Sequence, residues 1–140
     1  MEWRGLDMKL IIAGSRDFDD YDELVDAISK LPFKSEITEV VSGKASGVDR
    51  LGERWAKEND IPVKSFPAKW NDIKDKPEHE IKDKQGRKYW VVAGHARNKE
   101  MAEYGDVLLA IWKNRSSGTR NMIENMNLVG KPVYTRLKGE

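Results

Sequence analysis

Four short segments of this chain combine glycine with side chains that grip anions. The first is Gly14-Ser15-Arg16-Asp17. Glycine lets backbone amides come close to an oxyanion, serine adds a hydroxyl donor, and arginine can meet a phosphate with two parallel hydrogen bonds. The second is Ser42-Gly43-Lys44-Ala45-Ser46-Gly47-Val48-Asp49, where two glycines, small residues and a lysine run into a predicted helix. Unbonded amides at a helix start and the positive end of its dipole make an anion seat. The spacing is neither that of a Walker A loop nor G-x-G-x-x-G. The third, Ser116-Ser117-Gly118-Thr119, has the same chemistry with hydroxyls beside the amides. The fourth, Gly94-His95-Ala96-Arg97-Asn98, offers a guanidinium for a phosphate and an amide for a ribose or base edge.

Each segment also has a plainer reading. Arg16 can be a solvated arginine on an ordinary turn, and Arg97 can pair with a neighbouring acid. Asp49 is expected to cap a helix rather than touch a ligand, and Ser117 alone can cap the helix it opens. Trp70 and Trp112 are placed to stack on a base, although the strand position of Trp112 argues strongly for simple burial. His95 reads as a polar turn residue, and Glu78, His79 and Glu80 as solvated charge rather than a metal site.

The elements that must position these groups follow from the apolar pattern. Met8 to Ala13 is a short apolar run ending at Gly14 and reads as a buried strand. Asp20 and Glu23 form a capping pair ahead of a helix carrying Leu24, Ile28 and Leu31 on one face, stopped by Pro32. Glu39 to Val41 is a second strand, about Val48 to Asn59 a helix, and Pro62 to Phe66 a third strand. The stretch at about 68–92 is charged and aperiodic, an insert that reads as a long mobile loop, a short hairpin or a lid. A helix from Arg97 to Tyr104 leads to Asp106 to Trp112, a nearly continuous apolar strand of the kind found inside parallel sheets. Thr119 to Val129 is a further helix, ended by Gly130, and Pro132 to Thr135 a last strand. Trp3 is expected in a frayed tail that can fold back.

Strands alternating with helices predict an α/β fold: a Rossmann-like three-layer sandwich, its mostly parallel sheet of about five strands covered by helices on both faces. Ligands of such sheets sit at the carboxyl ends of the strands. With 140 residues the chain is read as a single domain, 1–140. Twenty-five Lys and Arg against 24 Asp and Glu leave a net charge of +1, which argues against a grip on nucleic acid through phosphates alone. The absence of cysteine excludes disulfides, thiolate metal sites and cysteine nucleophiles, and two histidines are too few for a His-rich metal site. No membrane span and no signal peptide is read, so the expected location is cytoplasmic.

The strings GSRDF, SGKASGVDRLGERWA, FPAKW, GHARNKEMAEYGDVLLAIW and SSGTRNMI together resemble the YspA/cpYpsA-related group of the SLOG superfamily, which joins DNA-processing protein A (Smf) and Lonely Guy proteins. The resemblance runs from about Lys9 to Val133. It implies a domain that binds nucleotides or nucleotide-derived ligands. It aligns Gly14, Ser15 and Arg16 with a first loop and Gly43, Ala45, Gly47 and Asp49 with a second. Arg97 and Asn98 fall on an R-N motif, and Ser117, Gly118 and Thr119 on an S-x-G-T loop. Lonely Guy enzymes, nucleotide N-glycosidases, use acids that follow their glycine-threonine pair. Here Arg120, Asn121 and Met122 stand there, and only Glu124 is near.

The ligand is therefore expected against Gly14, Ser15, Arg16, Gly43, Lys44, Ala45, Gly47, Asp49, Trp70, Arg97, Asn98, Trp112, Ser116, Ser117, Gly118 and Thr119, with no catalytic residue, metal or cofactor assigned. The favoured role is a sensor or sequestering protein for an ADP-ribose-like or cyclic ADP-ribose-like signal, as in phage–host immune signalling. The alternatives are a Lonely Guy-type N-glycosidase or phosphoribohydrolase and, less favoured, a single-stranded nucleic-acid binder. A homo-oligomer is expected.

Overall fold

A computed structural model of the chain describes residues 7–113 and 116–137, which leaves the expectation for Trp3 outside the described residues. The elements run β1 (Met8–Gly14), α1 (Tyr21–Ser29), β2 (Ile37–Ser42), α2 (Val48–Glu58), β3 (Val63–Ser65), β4 (Ile81–Lys84), β5 (Arg87–Trp90), α3 (Ala93–Tyr104), β6 (Val107–Trp112), α4 (Ser117–Leu128) and β7 (Val133–Leu137). The main sheet has five strands in the order β3-β2-β1-β6-β7, and every neighbouring pair is parallel.

Period-two alternation sorts the core. All six residues of β6 are buried. Val107, Leu109 and Ile111 join Leu10 and Ile12 of β1 beneath Leu24 and Ile28 of α1 and Trp55 of α2. Leu108 and Ala110 point the other way, with Ile11, onto Met101 of α3 and Met122 and Met126 of α4. A strand buried on both faces needs no polar alternate, hence its continuous apolar sequence. The result is three layers, α1 and α2 on one side and α3 and α4 on the other.

Local signals end the elements close to where the sequence places them. The Asp20 side chain accepts from the Glu23 amide at 3.1 Å and caps α1. α3 starts a turn earlier than predicted, at Ala93. At the far end of that helix Lys131 donates from Nζ to the carbonyls of Ala102, Glu103 and Gly105 at 2.7–2.9 Å. An ammonium there satisfies orphan carbonyls and suits the negative end of the helix dipole. β3 is shorter than predicted and exposed throughout.

The charged insert takes the hairpin alternative. β4 and β5 form a separate antiparallel sheet, with Ile81 opposite Trp90 and Lys84 opposite Arg87. The two turn residues, Gln85 and Gly86, both have positive φ (53° and 82°), as a two-residue hairpin loop requires. The hairpin is tied down at its base. Trp90 donates its amide to the Trp70 carbonyl at 2.8 Å and its indole N–H to Glu80 at 2.9 Å.

Candidate functional site

The strand order places β1 between β2 and β6, so successive connections depart in opposite directions from β1. The crevice expected at such a reversal lies at the carboxyl ends of β1 and β6. A cavity of about 560 Å³ occupies it, lined by Gly14, Ser15, Arg16, Ala45, Asp49, Trp70, Arg97, Asn98, Ser116, Ser117, Gly118 and Thr119 among others. That volume lies within the range of about 300–1,000 Å³ usual for small-molecule sites. A smaller adjoining pocket of about 280 Å³ is lined by Arg16, Gly43, Lys44, Ala45, Trp70 and Arg97 among others. Gly47 and Trp112 line neither.

Several predicted ligand groups are committed to the protein itself. Ser15 is buried. It donates its amide to Ile111 (3.0 Å), accepts the Val48 amide on its carbonyl (3.2 Å) and the Lys113 amide on Oγ (2.8 Å). It locks the first loop to β6 and α2. Gly47 sits against that same loop: a Cβ there would lie 2.2 Å from the Ser15 carbonyl oxygen, and its φ is +73°. Only glycine suits that position. Lys44 turns its ammonium onto Glu53 of α2 at 3.0 Å, while Glu53 also accepts from Ser42 Oγ at 2.5 Å. Asn98 is buried and spends its amide on Gly118 carbonyl (3.2 Å) and Asn121 Oδ1 (3.1 Å), while its own Oδ1 accepts from Arg97 Nε (3.0 Å). It clamps α3 to the start of α4. Trp112 is buried at the end of β6.

Arg97 is half-committed. Its Nη1 donates to the Gly43 carbonyl and, at 3.4 Å, to that of Phe66. Nη2 has no partner among the described residues and faces Gly94 beside the Trp70 ring. Burial pulls this guanidinium below its ordinary value; Asp49 opposes that, and the charge on Arg16 adds to it. Arg16 is exposed at the mouth and has no hydrogen bond or ion pair among the described residues. Two cations thus face one cavity, neither ion-paired to a carboxylate among the described residues.

The sequence predicts that Asp49 caps α2. It lies in the first turn, but its carboxylate accepts from the Ala45 amide at 3.2 Å and so folds the second loop back on itself. Burial pushes its pKa up to about 6, against the pull of the Ala45 amide and the Arg97 charge.

At α4 the cap is Ser116 rather than Ser117. Its Oγ accepts from the Thr119 amide at 3.2 Å and donates to Thr119 Oγ1 at 2.7 Å. The amides of Ser117 and Gly118 find no acceptor among the described residues, and both residues line the cavity.

The reading of the sequence missed the apolar part of the wall. Val91, Met101 and Met122 line the cavity, and His95, read as a turn residue, lines it too. Helical spacing carried the signal: Met101 lies four residues after Arg97, and Met122 four after Gly118, on the same helix faces. Among the described residues no cluster of acids and histidines could hold a metal, and no helix is long and apolar enough to cross a membrane.

Comparison with known proteins agrees with this architecture. Residues 8–72 match the YspA, cpYpsA-related SLOG family, in line with the resemblance read from the sequence. No curated protein matches the chain. Among solved structures the chain is similar to DNA processing protein A from Streptococcus pneumoniae, with a TM-score of 0.65 and 19% identity. The likeness covers 93% of this chain and 50% of that one, so the chain spans about half the length of its structural relative. At that identity the likeness is one of fold.

Proposed function

For a chain matched over residues 8–72 by the YspA, cpYpsA-related SLOG family, we propose binding of a phosphate-bearing nucleotide or nucleotide derivative in the cavity between β1 and β6. The observation that carries this reading is the convergence of uncommitted donors. Arg16, Nη2 of Arg97 and the amides of Ser117 and Gly118 have no acceptor among the described residues and border the same space. Charged donors and helix-start amides of this kind suit a phosphate group. Trp70 offers an aromatic face for the base. The favoured use is sensing or sequestering an ADP-ribose-like signal.

Calorimetry against nucleoside monophosphates, ADP-ribose, cyclic ADP-ribose and NAD tests the proposal. Arg16→Ala should weaken binding by about 1.5–3 kcal/mol, roughly 10- to 150-fold. Folded protein that binds none of these compounds overturns it.

One observation favours catalysis as a second reading. Asp49, a carboxyl with its pKa raised to about 6, lines the cavity, where it could serve as a general acid. Glu124, the acid considered from sequence, is exposed and does not line the cavity. Release of free base from nucleoside monophosphates, abolished in Asp49→Asn, would support the N-glycosidase; no release would exclude it for those substrates.

A further inference from the structure

The hairpin carries a charged face that the cavity does not account for. In the β4–β5 register Lys82 lies opposite Tyr89 and Lys84 opposite Arg87. Alternation along each strand puts these four on one face, with Ile81, Asp83, Lys88 and Trp90 on the other. Lys82, Lys84, Arg87 and Lys88 form no ion pair or hydrogen bond through their side chains among the described residues. The acid between them, Asp83, is turned to the backbone, where Oδ1 accepts from the Gly86 amide at 2.9 Å. The tip is therefore a concentration of positive charge on a chain whose net charge is only +1.

This face borders a groove of about 660 Å³ lined by Lys84, Arg87, Tyr89, Gln85, Asn71 and Trp70. Trp70 also lines the cavity between β1 and β6. A single tryptophan, 38% exposed, thus belongs to both spaces. Its carbonyl accepts from the Trp90 amide, which ties the partition to the base of the hairpin. Two unpaired cations and a tyrosine beside a shared tryptophan suit a second anionic and aromatic unit.

We propose that the hairpin groove is a second subsite, and that the ligand is a dinucleotide: one nucleotide in the cavity, the other across Trp70 against Lys84, Arg87 and Tyr89. This rests on the reading of the cavity as a nucleotide site and extends it to the substrate class. Neutralising a phosphate next to unpaired cations adds affinity that falls with salt.

The test uses the full chain and two probe sets, the four nucleoside 5′-monophosphates and the corresponding linear 5′-phosphorylated homodinucleotides. It compares wild type, Arg16→Ala and the double variant Lys84→Glu/Arg87→Glu. Both substituted hairpin residues are exposed, and circular dichroism verifies the fold. The expected result is that the best dinucleotide binds at least about tenfold more tightly than its monophosphate. The hairpin double variant should erase that margin and leave monophosphate binding as it was, while Arg16→Ala weakens both. Equal binding of the two probe classes overturns the second subsite and leaves the cavity reading intact. So does a double variant that weakens both classes alike, which would mark long-range charge rather than contact. No binding of any probe by folded protein overturns both.

Discussion

Replacing Asp49 with asparagine should change how stability depends on pH, and the structure sets the sign and size of the change. The Asp49 carboxyl titrates at about 6 in the folded chain against 3.8 as its ordinary value, chiefly because it is buried. Below about pH 3 it is protonated in folded and unfolded chains alike, and it contributes no pH dependence. Between about pH 3 and 6 the unfolded chain loses this proton before the folded chain does. The unfolded state then binds fewer protons, so stability falls as pH rises. Above about 6 the carboxyl is ionised in both states and the loss is complete. A shift from 3.8 to about 6 corresponds to about 3 kcal/mol at 1.36 kcal/mol per unit. Asparagine keeps an oxygen for the Ala45 amide but carries no charge. Urea denaturation of wild type and Asp49→Asn at pH 4 and pH 7.5 isolates the term, since other titrating groups cancel in the difference. Because the unfolded carboxyl is already more than half ionised at pH 4, the variant should gain about 2.4 kcal/mol relative to wild type between the two pH values. Parallel stability profiles, or a gain in the opposite direction, would refute the burial argument.

Asn98→Ala removes an amide that bonds to Gly118, Asn121 and Arg97 at once. We expect a loss of about 2–4 kcal/mol in urea denaturation, with weaker nucleotide binding because the start of α4 and Arg97 lose their common brace. Gly47→Ala places a methyl 2.2 Å from the Ser15 carbonyl oxygen at φ +73° and should lower the melting temperature. Gly118→Ala meets nothing within 4 Å, so the same assay should find its melting temperature close to wild type.

The parts of this fold legible in the sequence are those where burial is one- or two-sided. β1 and β6 announce themselves as apolar runs because helices cover both of their faces, and α1 shows its cap and stripe plainly. The hairpin does not, since neither of its faces is buried against a core and its residues carry no apolar alternation. The candidate site was legible by position but not by commitment. The residue types of Ser15, Lys44 and Asn98 suit a ligand, yet their partners Lys113, Glu53 and Asn121 stand 98, 9 and 23 residues away on other elements or loops. Side-chain bonding across such separations has no periodic trace. Arg16, by contrast, sits where the strand-end argument puts it and keeps its charge available.

The three-way fastening of Ser15 bears on the entropy of recognition. A loop whose amide, carbonyl and hydroxyl are each held by β6 or α2 has already lost its backbone freedom during folding. Ordering a free residue costs about 1–2 kcal/mol at the moment of association. The first loop is exempt from that cost. The backbone share of the ordering cost is therefore already met at this wall, and what the ligand still has to immobilise there is the side chain of Arg16.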